Sequence, residues 1–589
     1  MKRTIAIIMT IAMLAGLIGC TASPLEAPAA TQQPPAATQG AASTVEPTAA
    51  IETQEREAFA TLVADRKAEI LNTASNYPSD GTVYYVSNSG DDANDGLSPQ
   101  TAWRTLDKVN SGAWIWDGKL NNEQFPEFLW ASEHPGEQVS LKSGDTVLFE
   151  RGGLWRGILQ TVDGVTYSAY GEGEKPRIYG SPENGTGAEK WTLVDGTTNI
   201  WLYHRPMQQC GIMICDDNTI ALRDYAYYDR GAYYKTTSNA TLPWEEVEKL
   251  SALTSESISE DLHFFCEIPS VEDGEYCWMS GALYLRCDKG NPGEVFSSIE
   301  FATGNNGWNE GMARVLSHVT LDNLCFRYGM SGINVHDGEN AVIRNCEVSY
   351  VGGMIISAGG GDPISDRPEE FSLVCSGDAI LLGGVNNVAE NNYISNTFDY
   401  GVTVEAFSGD PNSPYRSGCR VIGNLLESCG GGLLVTDWYA INNKLNAPVF
   451  TDIALSDNIV AYSGCNLWSH YSQRFDENWN YIGDGYGNGE LSLWINPGCK
   501  DISVQNNTFG FGYKNEYQIA LSYVDSDLSW LQADGNRFLA EPGAKMLSVN
   551  DYASNGNEDQ YLRYDADDNL EKTLQEQMTD VNCKVTLVS

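Results

Sequence analysis

The residues best suited to acid–base chemistry are two carboxylic acids, Glu405 and Asp437, in similar short apolar segments. Glu405 lies in Gly401-Val-Thr-Val-Glu-Ala406, and Asp437 ends the segment that begins at Gly432. If these segments are neighbouring strands, the carboxylates lie about one strand spacing, ~4.8 Å, apart. Retaining glycosidases use carboxyl groups ~5–5.5 Å apart, and inverting ones ~6.5–9.5 Å. The pair suits glycosidic-bond hydrolysis if Asp437, one residue past the equivalent of Glu405, also faces outward; otherwise both are solvated surface charges.

Other polar and aromatic residues near these segments extend the candidate site. Asp378 and Asp399 are the second choice as acids. His470, near Arg474 and Asp476, belongs to the densest mixed cluster and is a third catalytic candidate, although a histidine is more often structural. Aromatic rings present a broad apolar face that suits a sugar ring, or they cover the interior. The candidates for substrate binding are Trp438, Tyr439, Trp494, Arg474, His336 and Asp337.

A unit that recurs through the second half of the chain has to position these residues. Each copy has an asparagine followed by one residue and an apolar residue, then a glycine-containing turn and a strand-like segment. Because asparagine tolerates left-handed backbone, we predict a left-handed corner at each copy. Stacked amides would then hydrogen-bond along the coil, as in other stacked β structures. The positions are Asn323, Asn392, Asn424, Asn458, Asn507 and Asn536, with a variant at Cys346.

The segment after each corner alternates in a way that predicts a strand with one inner and one outer face. The inner residues are predicted to be Val335, Leu381, Val404, Val435, Trp468 and Leu493. The outer residues are predicted to be His336, Leu382, Glu405, Thr436, Ser469 and Trp494. The two longest spacings, 46 and 49 residues, leave open an extra rung or a long loop. The Gly- and Asp-rich composition of residues 357–376 favours the loop.

With this register the chain resembles the pectin-lyase-like superfamily of right-handed parallel β-helices. Residues 84–99 and 103–106 are similar to the first strand and capping helix of many bacterial polysaccharide-processing β-helices. Residues 143–152 and 164–171 look like the next rungs. The resemblance implies an all-β fold, a right-handed parallel β-helix solenoid. A break in the repeat pattern between Trp191 and Phe301 predicts an inserted small β module, and an apolar stripe in residues 54–73 predicts an N-terminal helix.

The resemblance implies a carbohydrate-active protein without fixing its reaction, since the superfamily includes lyases, hydrolases, isomerases and adhesins. The Asn-Thr-Asp and Gly-His-Gly patterns of β-helix polygalacturonases are absent, and the outward strands contain no Lys to serve as a lyase base. We therefore favour a glycoside hydrolase acting on an extracellular polysaccharide. The alternatives are a polysaccharide lyase of the pectate-lyase type and a non-catalytic glycan-binding or adhesive surface protein. Hydrolysis requires no cofactor, although Ca²⁺ could bind acidic loops at 91–95 and 362–370.

The charge of the chain limits its partners. Seventy-nine acidic and 36 basic residues give a formal net charge of −43. Binding of nucleic acid needs a basic surface, so nucleic acid is excluded as a partner. A polyanionic polysaccharide would also be repelled at long range unless calcium bridged the two.

The N-terminus indicates an anchored protein. Lys2 and Arg3 precede an apolar run, and Leu17-Ile-Gly-Cys20 resembles the bacterial lipobox, whose cysteine is acylated. We therefore expect attachment to the outer face of a bacterial membrane at the cell surface. The predicted segments are a lipoprotein signal peptide (1–20), a flexible linker (21–52), a helical segment (53–75), N-terminal rungs and cap (76–190), an inserted β module (191–300), the main β-helix (301–555) and a C-terminal cap (556–589).

Replacing Cys20 tests the anchor. We expect Cys20→Ser to abolish incorporation of labelled fatty acid in bacteria, because the thiol is the only group at that position that can be acylated. Cys583→Ser is the control and should keep the label. Labelling that persists in the Cys20 variant would show that the lipobox interpretation is wrong.

Overall fold

The repeating unit forms the rungs of a parallel coil with three sheets. The computed structural model describes residues 46–77, 80–113, 138–208, 210–216, 218–223, 262–266, 280–303, 311–335, 338–360, 371–406, 416–437, 450–465, 473–475, 481–484, 491–495, 499–512, 517–523, 530–551, 562–567 and 569–588. Each rung passes through sheet 1, sheet 2 and sheet 3 in turn, and equivalent strands pair in parallel from rung to rung. The predicted all-β solenoid is confirmed.

The strands of sheet 1 are Val83–Val86, Thr146–Glu150, Thr166–Tyr170, Thr320–Asp322, Val342–Arg344, Val388–Glu390, Arg420–Ile422, Phe450–Ser456, Cys499–Gln505 and Leu531–Asp534, with Arg416–Ser417 beside Phe450. Those of sheet 2 are Leu154–Arg156, Arg177–Tyr179, Cys325–Arg327, Glu347–Val351, Tyr393–Thr397, Leu425–Glu427, Ile459–Ala461, Thr508–Gly510, Arg537–Ala540 and Lys584–Leu587. Those of sheet 3 are Leu159–Gln160, Ala313–Arg314, Ile333–Val335, Ile380–Leu382, Tyr400–Ala406, Gly431–Asp437, Leu493–Ile495, Ile519–Tyr523 and Lys545–Asp551, with Leu562–Asp565 antiparallel at the end.

A buried ladder of amides connects the rungs at the corner between sheets 1 and 2. The backbone N–H and the side-chain amide of Asn392 both donate to Oδ1 of Asn424, each at 2.9 Å. Asn424 donates to Asn458 in the same way, and the ladder continues through Asn507 and Asn536. Each amide also donates to a backbone carbonyl of the preceding rung, as Asn424 does to Ala389. The predicted ladder is confirmed from Asn392 onward.

The left-handed corner lies one residue earlier than the sequence indicated. Positive φ values occur at Asn391, Asp457 and Asn506, each directly before a ladder asparagine. Asn323 itself has a φ of 59°, and its neighbour Leu324 occupies the ladder position. The prediction that the ladder asparagines adopt left-handed backbone is therefore wrong. The ladder residue uses its side chain across rungs, while the residue before it turns the chain.

One pair of predicted inner and outer residues is exchanged. Leu382 is the register partner of Val335 and Val404 and packs in the core, whereas Leu381 pairs with Asn334 and Thr403 on the outer face. The prediction that Leu381 faces inward and Leu382 outward is therefore wrong, because the strand begins after a long connection that shifts its phase. The inner residues Val335, Val404, Val435 and Leu493 are confirmed. Trp468, Ser469 and His336 lie outside the described residues.

The N-terminal helix α1 (Glu46–Leu71) lies along the outer face of sheet 2. Phe59, Val63 and Ile70 pack there against residues of several rungs. Glu55 pairs with Arg537 and Lys67 pairs with Glu427, each at 3.1 Å. The helix rises ~18 Å between Glu55 and Lys67. Their partners, Arg537 and Glu427, are three rung spacings or ~14 Å apart on sheet 2, so the two lengths agree to within one rung. The helix therefore runs from the last rungs toward earlier ones.

The remaining helices are short: α2 (Leu106–Asn110), α3 (Pro292–Val295) and α4 (Leu570–Gln577), with 3₁₀ turns at Pro99–Thr101 and Ala188–Lys190. In the described part of the chain, no helix is both long and apolar enough to cross a membrane.

The inserted module is a seven-stranded, mostly antiparallel sheet with its own core. Its strands are Trp191–Leu193, Ile200–Tyr203, Ile212–Cys215, Thr219–Arg223, Leu262–Cys266, Leu283–Cys287 and Ile299–Ala302, with Met207–Gln208 and Ser280–Gly281 as a separate pair. The Arg156 guanidinium of sheet 2 donates to both carboxylate oxygens of Glu300, each at 2.8 Å. This paired ion contact joins the module to the coil.

Truncating one ladder amide tests its contribution to stability. Asn424→Ala leaves buried donors on Asn392 and an acceptor on Ala389 without partners, so we expect a loss of about 1–3 kcal/mol in the free energy of unfolding. Chemical denaturation measures it. Asn582→Ala removes one exposed amide contact, to Asp534, and is the control. Equal losses in the two variants would contradict a structural role for the ladder.

Candidate functional site

The outer face of sheet 3 carries the candidate site. Neighbouring rungs align the outward residues Asn334, Leu381, Thr403, Leu434 and Trp494 in one row. The first four are buried although they point away from the coil interior, while Trp494 is partly exposed. Other parts of the chain therefore cover this face between Asn334 and Leu434. The row forms the floor of a sheltered surface rather than an open solvated one.

Long connections lead into and out of sheet 3 at the same group of rungs. Residues 352–379 and 462–492 link sheet 2 to sheet 3, and residues 407–419 and 438–449 link sheet 3 to sheet 1. The favoured loop interpretation of residues 357–376 is confirmed, since they fall within one such connection. Long connections on a rigid scaffold are where binding residues concentrate.

The two connections from sheet 2 join in a small antiparallel sheet. Phe371 of the first pairs with Phe475 of the second, although their rungs are three spacings apart. The chain passes between them in two short turns, one of which carries Asp399. The strands of this bridging sheet are Met354–Gly360, Phe371–Ser376, Gln473–Phe475 and Tyr481–Asp484.

Two carboxylic acids, Asp378 and Asp399, come together on neighbouring rungs at this edge. Asp378 follows the first long connection and is partly buried, and Asp399 is 9% exposed. The backbone N–H of Tyr400 donates to Oδ1 of Asp378 at 3.2 Å. Burial, and next the negative charge of Asp399, raise the pKa of Asp378 well above its usual value of 3.8. The hydrogen bond from the Tyr400 backbone N–H opposes this rise and does not cancel it.

The raised pKa gives the acid pair a chemical capacity. Two like charges this close disfavour simultaneous ionisation, so the pair retains a proton to higher pH than an ordinary aspartate. A carboxylic acid that keeps its proton beside a second carboxyl group is the arrangement used for general acid catalysis. Perturbed acids concentrate at functional sites, although ion networks also perturb them.

Aromatic rings lie beside the acid pair. The ring of Tyr400 is 6.3 Å from the ring of Trp494, measured between centroids, and the planes are tilted by 40°. Gly431 permits this packing, since a Cβ there would lie 2.5 Å from the Tyr400 ring. At Gly430 a Cβ would lie 2.2 Å from the Phe398 carbonyl oxygen. The glycine run therefore lets adjacent rungs approach closely at the acid pair.

Glu405 is on the same strand as Tyr400 and Thr403. It has the outward phase that the sequence predicted, yet it is only 4% exposed, so it is not a solvated surface charge. Its register partner is Thr436, and Asp437 pairs with Ala406 at the last position of its strand. Glu405 and Asp437 thus stand one register position apart on adjacent strands.

For most of the other candidate residues, the side chain lies outside the part of the chain that the structure describes. Asp437 and Arg474 lie in strands whose side chains at these positions are outside the described residues. Six further candidates lie entirely outside the described residues: Cys20, His336, Asp337, Trp438, Tyr439 and His470. Of the candidates, the structure brings together Asp378, Asp399 and, through Tyr400, Trp494.

Sequence reasoning did not single out Tyr400 and Thr403. Thr403 has the same outward phase as Glu405, two residues further on, so the alternation contained its signal. Tyr400 precedes the segment that the alternation identified, and only the register with Gly431 shows its place.

The carboxylates of the acidic loop at residues 91–95 accept hydrogen bonds within the fold. Both carboxylate oxygens of Asp92 accept hydrogen bonds from Thr105, and Asp91 and Asp95 accept from backbone N–H groups of their own loop. Among the residues that the structure describes, no group of three or more potential ligands lies close enough to hold a metal. The loop at 362–370 lies outside them.

Comparison with known proteins supports the fold. Residues 311–509 match the family model described as a right handed beta helix region. The three-sheet parallel coil defines the class of protein, a β-helix solenoid. The match covers 199 of the 589 residues and shows the right-handed β-helix of this region. A search of curated proteins found no match.

Several solved structures match the chain at low similarity. XylC in complex with xylose is 12% identical with a TM-score of 0.38, over 79% of this chain and 69% of that one. A GH136 lacto-N-biosidase from Eubacterium ramulus is 11% identical with a TM-score of 0.31, over 85% and 59%. An exopolygalacturonase from Thermotoga maritima is 12% identical with a TM-score of 0.29, over 86% and 99%. Function is therefore argued from this chain's own residues.

The raised pKa of Asp378 predicts a pH-dependent stability difference. The folded chain holds this proton more tightly than the unfolded chain, so the stabilising contribution is complete below pH ~4 and is lost as pH rises through the raised pKa. Asp378→Asn mimics the protonated form. The melting temperature of the variant minus that of the wild type should therefore increase as the pH rises from ~4 to neutrality.

Thermal unfolding across this range measures the difference. Asp457→Asn is the matched control, because Asp457 is an exposed corner residue and asparagine occupies equivalent corners at 391 and 506. If the Asp378 variant and the wild type keep a constant difference in melting temperature, the assigned pKa shift is wrong.

Proposed function

We propose that the protein binds a polysaccharide over the outer face of sheet 3 and hydrolyses it, as a glycoside hydrolase, at the Asp378–Asp399 pair. The observation that carries this proposal is the raised pKa of Asp378 beside a second carboxyl group. A buried acid pair of this kind costs stability. It is therefore hard to account for as part of the scaffold alone.

In the proposed reaction Asp378 is the general acid. It donates its proton to the glycosidic oxygen as the bond from that oxygen to the anomeric carbon breaks. Asp399 attacks the anomeric carbon or stabilises the developing positive charge. A water molecule then attacks that carbon and gives its proton to Asp378, which restores the acid, while any bond formed between the carbon and Asp399 breaks and restores the Asp399 carboxylate.

The stereochemical outcome follows from the rung spacing. Groups on neighbouring rungs lie roughly one spacing, ~4.8 Å, apart. This is close to the ~5–5.5 Å of retaining glycosidases and shorter than inverting enzymes need. The proposed reaction therefore retains the anomeric configuration, with a covalent glycosyl intermediate on Asp399.

The rings of Tyr400 and Trp494 support a sugar-binding role. Trp494 is partly exposed beside the buried Tyr400, so its free surface is available to pack against a sugar. Glu405 and Thr436, two residues further along the same strands, are buried at 4% and 0% exposure and lie beneath this surface. Asp437, Trp438, Tyr439, His470, Arg474, His336 and Asp337 stay candidates for the surrounding surface.

We further propose that the enzyme acts outside a bacterial cell, anchored by a lipid on Cys20. The lipobox-like sequence supports this location, and α1 starts beside the last rungs of the coil, where Glu55 contacts Arg537. The linker before α1 would then hold the sheet 3 face clear of the membrane. The reaction uses no metal ion or organic cofactor in any step.

Activity of the full chain on a polysaccharide panel tests the reaction. New reducing ends without the ultraviolet absorbance of an unsaturated uronate are expected, because hydrolysis forms no double bond. Absorbance that rises together with the reducing ends would identify a lyase. Binding without cleavage of any member of the panel would favour the adhesive alternative.

Substitutions test the assignment of the acids. Asp378→Asn and Asp399→Asn should each lower kcat by at least ~10²-fold, the low end for acid–base catalysis. Asp457→Asn should leave kcat unchanged. If both variants of the pair stay active while Glu405→Gln and Asp437→Asn lose turnover, the catalytic pair is Glu405 and Asp437 instead.

The first product distinguishes retention from inversion. Proton NMR during early turnover should show the anomer of the substrate, before mutarotation equilibrates the two forms. The inverted anomer as the first product would exclude Asp399 as a nucleophile at one rung spacing from Asp378.

A further inference from the structure

The outer face of sheet 3 carries an arginine, Arg314, without an acidic partner. Arg314 is partly buried and stands in register between Gln160 and Asn334, in the same outward row as Thr403. Acidic residues outnumber basic ones 79 to 36 in this chain, so a partner would be easy to supply. In the part of the chain that the structure describes, the Arg314 guanidinium nevertheless has no ion pair or hydrogen bond.

The neighbouring residue, Gln160, supplies an independent observation. Its side chain is buried, at 5% exposure, and its Nε2 amide group has no hydrogen-bond partner. Its backbone N–H donates to Oδ1 of Asn110 at 2.9 Å, so the strand position is fixed. A buried amide donor without an acceptor costs free energy. A ligand that accepts a hydrogen bond from this donor would remove that cost.

We propose that Arg314 and Gln160 form a subsite for an anionic group, a carboxylate or a sulfate, carried by the polysaccharide. Arg314 offers a planar set of donors that matches two oxygens of such a group, and the Gln160 amide offers one more. Register partners on one face of a sheet lie ~5 Å apart, so both can contact the same group. This subsite rests on the proposed function, since it presumes a polysaccharide bound along sheet 3.

The position of the subsite defines its relation to the acid pair. Arg314 lies two rungs from Leu381 and three from Thr403, so roughly 10–14 Å separate it from the Asp378–Asp399 pair. A sugar ring is about as long as one rung spacing. The anionic group would therefore sit two or three sugars from the bond that is cleaved.

The charge of the whole chain narrows the substrate class. A net charge of −43 repels a polymer that is charged at every residue. A single cationic subsite on such a protein instead suits a mainly uncharged polysaccharide with spaced anionic substituents. The anion then fixes where along the polymer the acid pair acts.

Binding of simple anionic probes tests the subsite without any turnover. Sodium glucuronate and sodium sulfate are titrated into the full chain, with glucose and sodium chloride as uncharged-sugar and ionic-strength controls. Glucuronate, sulfate or both should raise the melting temperature above the controls, and which of them does so identifies the anion. No shift above the controls with either probe overturns the proposal.

Two substitutions and one control sharpen this result. Arg314→Gln should abolish the shift, while Arg420→Gln, which removes a charge paired with Asp452 on sheet 1, should retain it. Gln160→Leu should weaken the shift and yet raise the melting temperature of the free protein, because it removes a buried amide without a partner. A free Gln160→Leu protein that is less stable than the wild type would contradict the role assigned to Gln160.

The two proposals fail separately. Asp378→Asn should keep the full response to the anionic probe, because the acid pair lies at least two rungs away. If the acid-pair variants keep activity while Arg314→Gln loses the anion response, the catalytic assignment fails and the subsite stands. If Arg314→Gln binds the anion as the wild type does, the subsite fails whatever the activity.

Discussion

The amide ladder is the interaction on which the other features of the coil depend. Each ladder asparagine donates to the next rung and to a carbonyl of the previous one, so its two bonds fix both the stacking distance and the register. A slip of one residue in any rung would break these bonds and turn inner residues outward. Because the ladder prevents that slip, residues distant in sequence, such as Thr403 and Trp494, lie in one row of sheet 3.

The scaffold holds the two acids close together, although their proximity and burial cost free energy. Asp378 and Asp399 lie close because the turn at Asp399 is short and glycines 430 and 431 let the next rung approach. Without that constraint, repulsion and solvation would separate two carboxylates. The ladder on the opposite corner and the helix across sheet 2 make the coil rigid enough to keep them together, as precise catalytic geometry requires.

The sequence predicted what recurs and failed where a connection interrupts the recurrence. The ladder from Asn392 onward could be predicted because five asparagines stand at equivalent positions. The first copy was misplaced because Asn323 holds the left-handed position and Leu324 the ladder position. The phase of Leu381 and Leu382 was lost across the connection of residues 352–379, whose length gives no register. Asp378 and Asp399 could be named as acids, but their proximity depends on that same unpredictable register.

Charged residues on the three sheets are handled differently, and the difference singles out sheet 3. On sheet 1, Arg344 pairs with Asp322 and Arg420 with Asp452, and on sheet 2 Arg327 pairs with Glu347. Those pairs neutralise their charges within the protein. On sheet 3, Arg314 has no such partner in the part of the chain that the structure describes, and two acids lie on neighbouring rungs two to three rungs away. Selection for stability alone would pair or replace such groups, because most proteins can gain stability at such positions. Their presence along one sheet is what a bound polymer with its own charges and hydroxyls would account for.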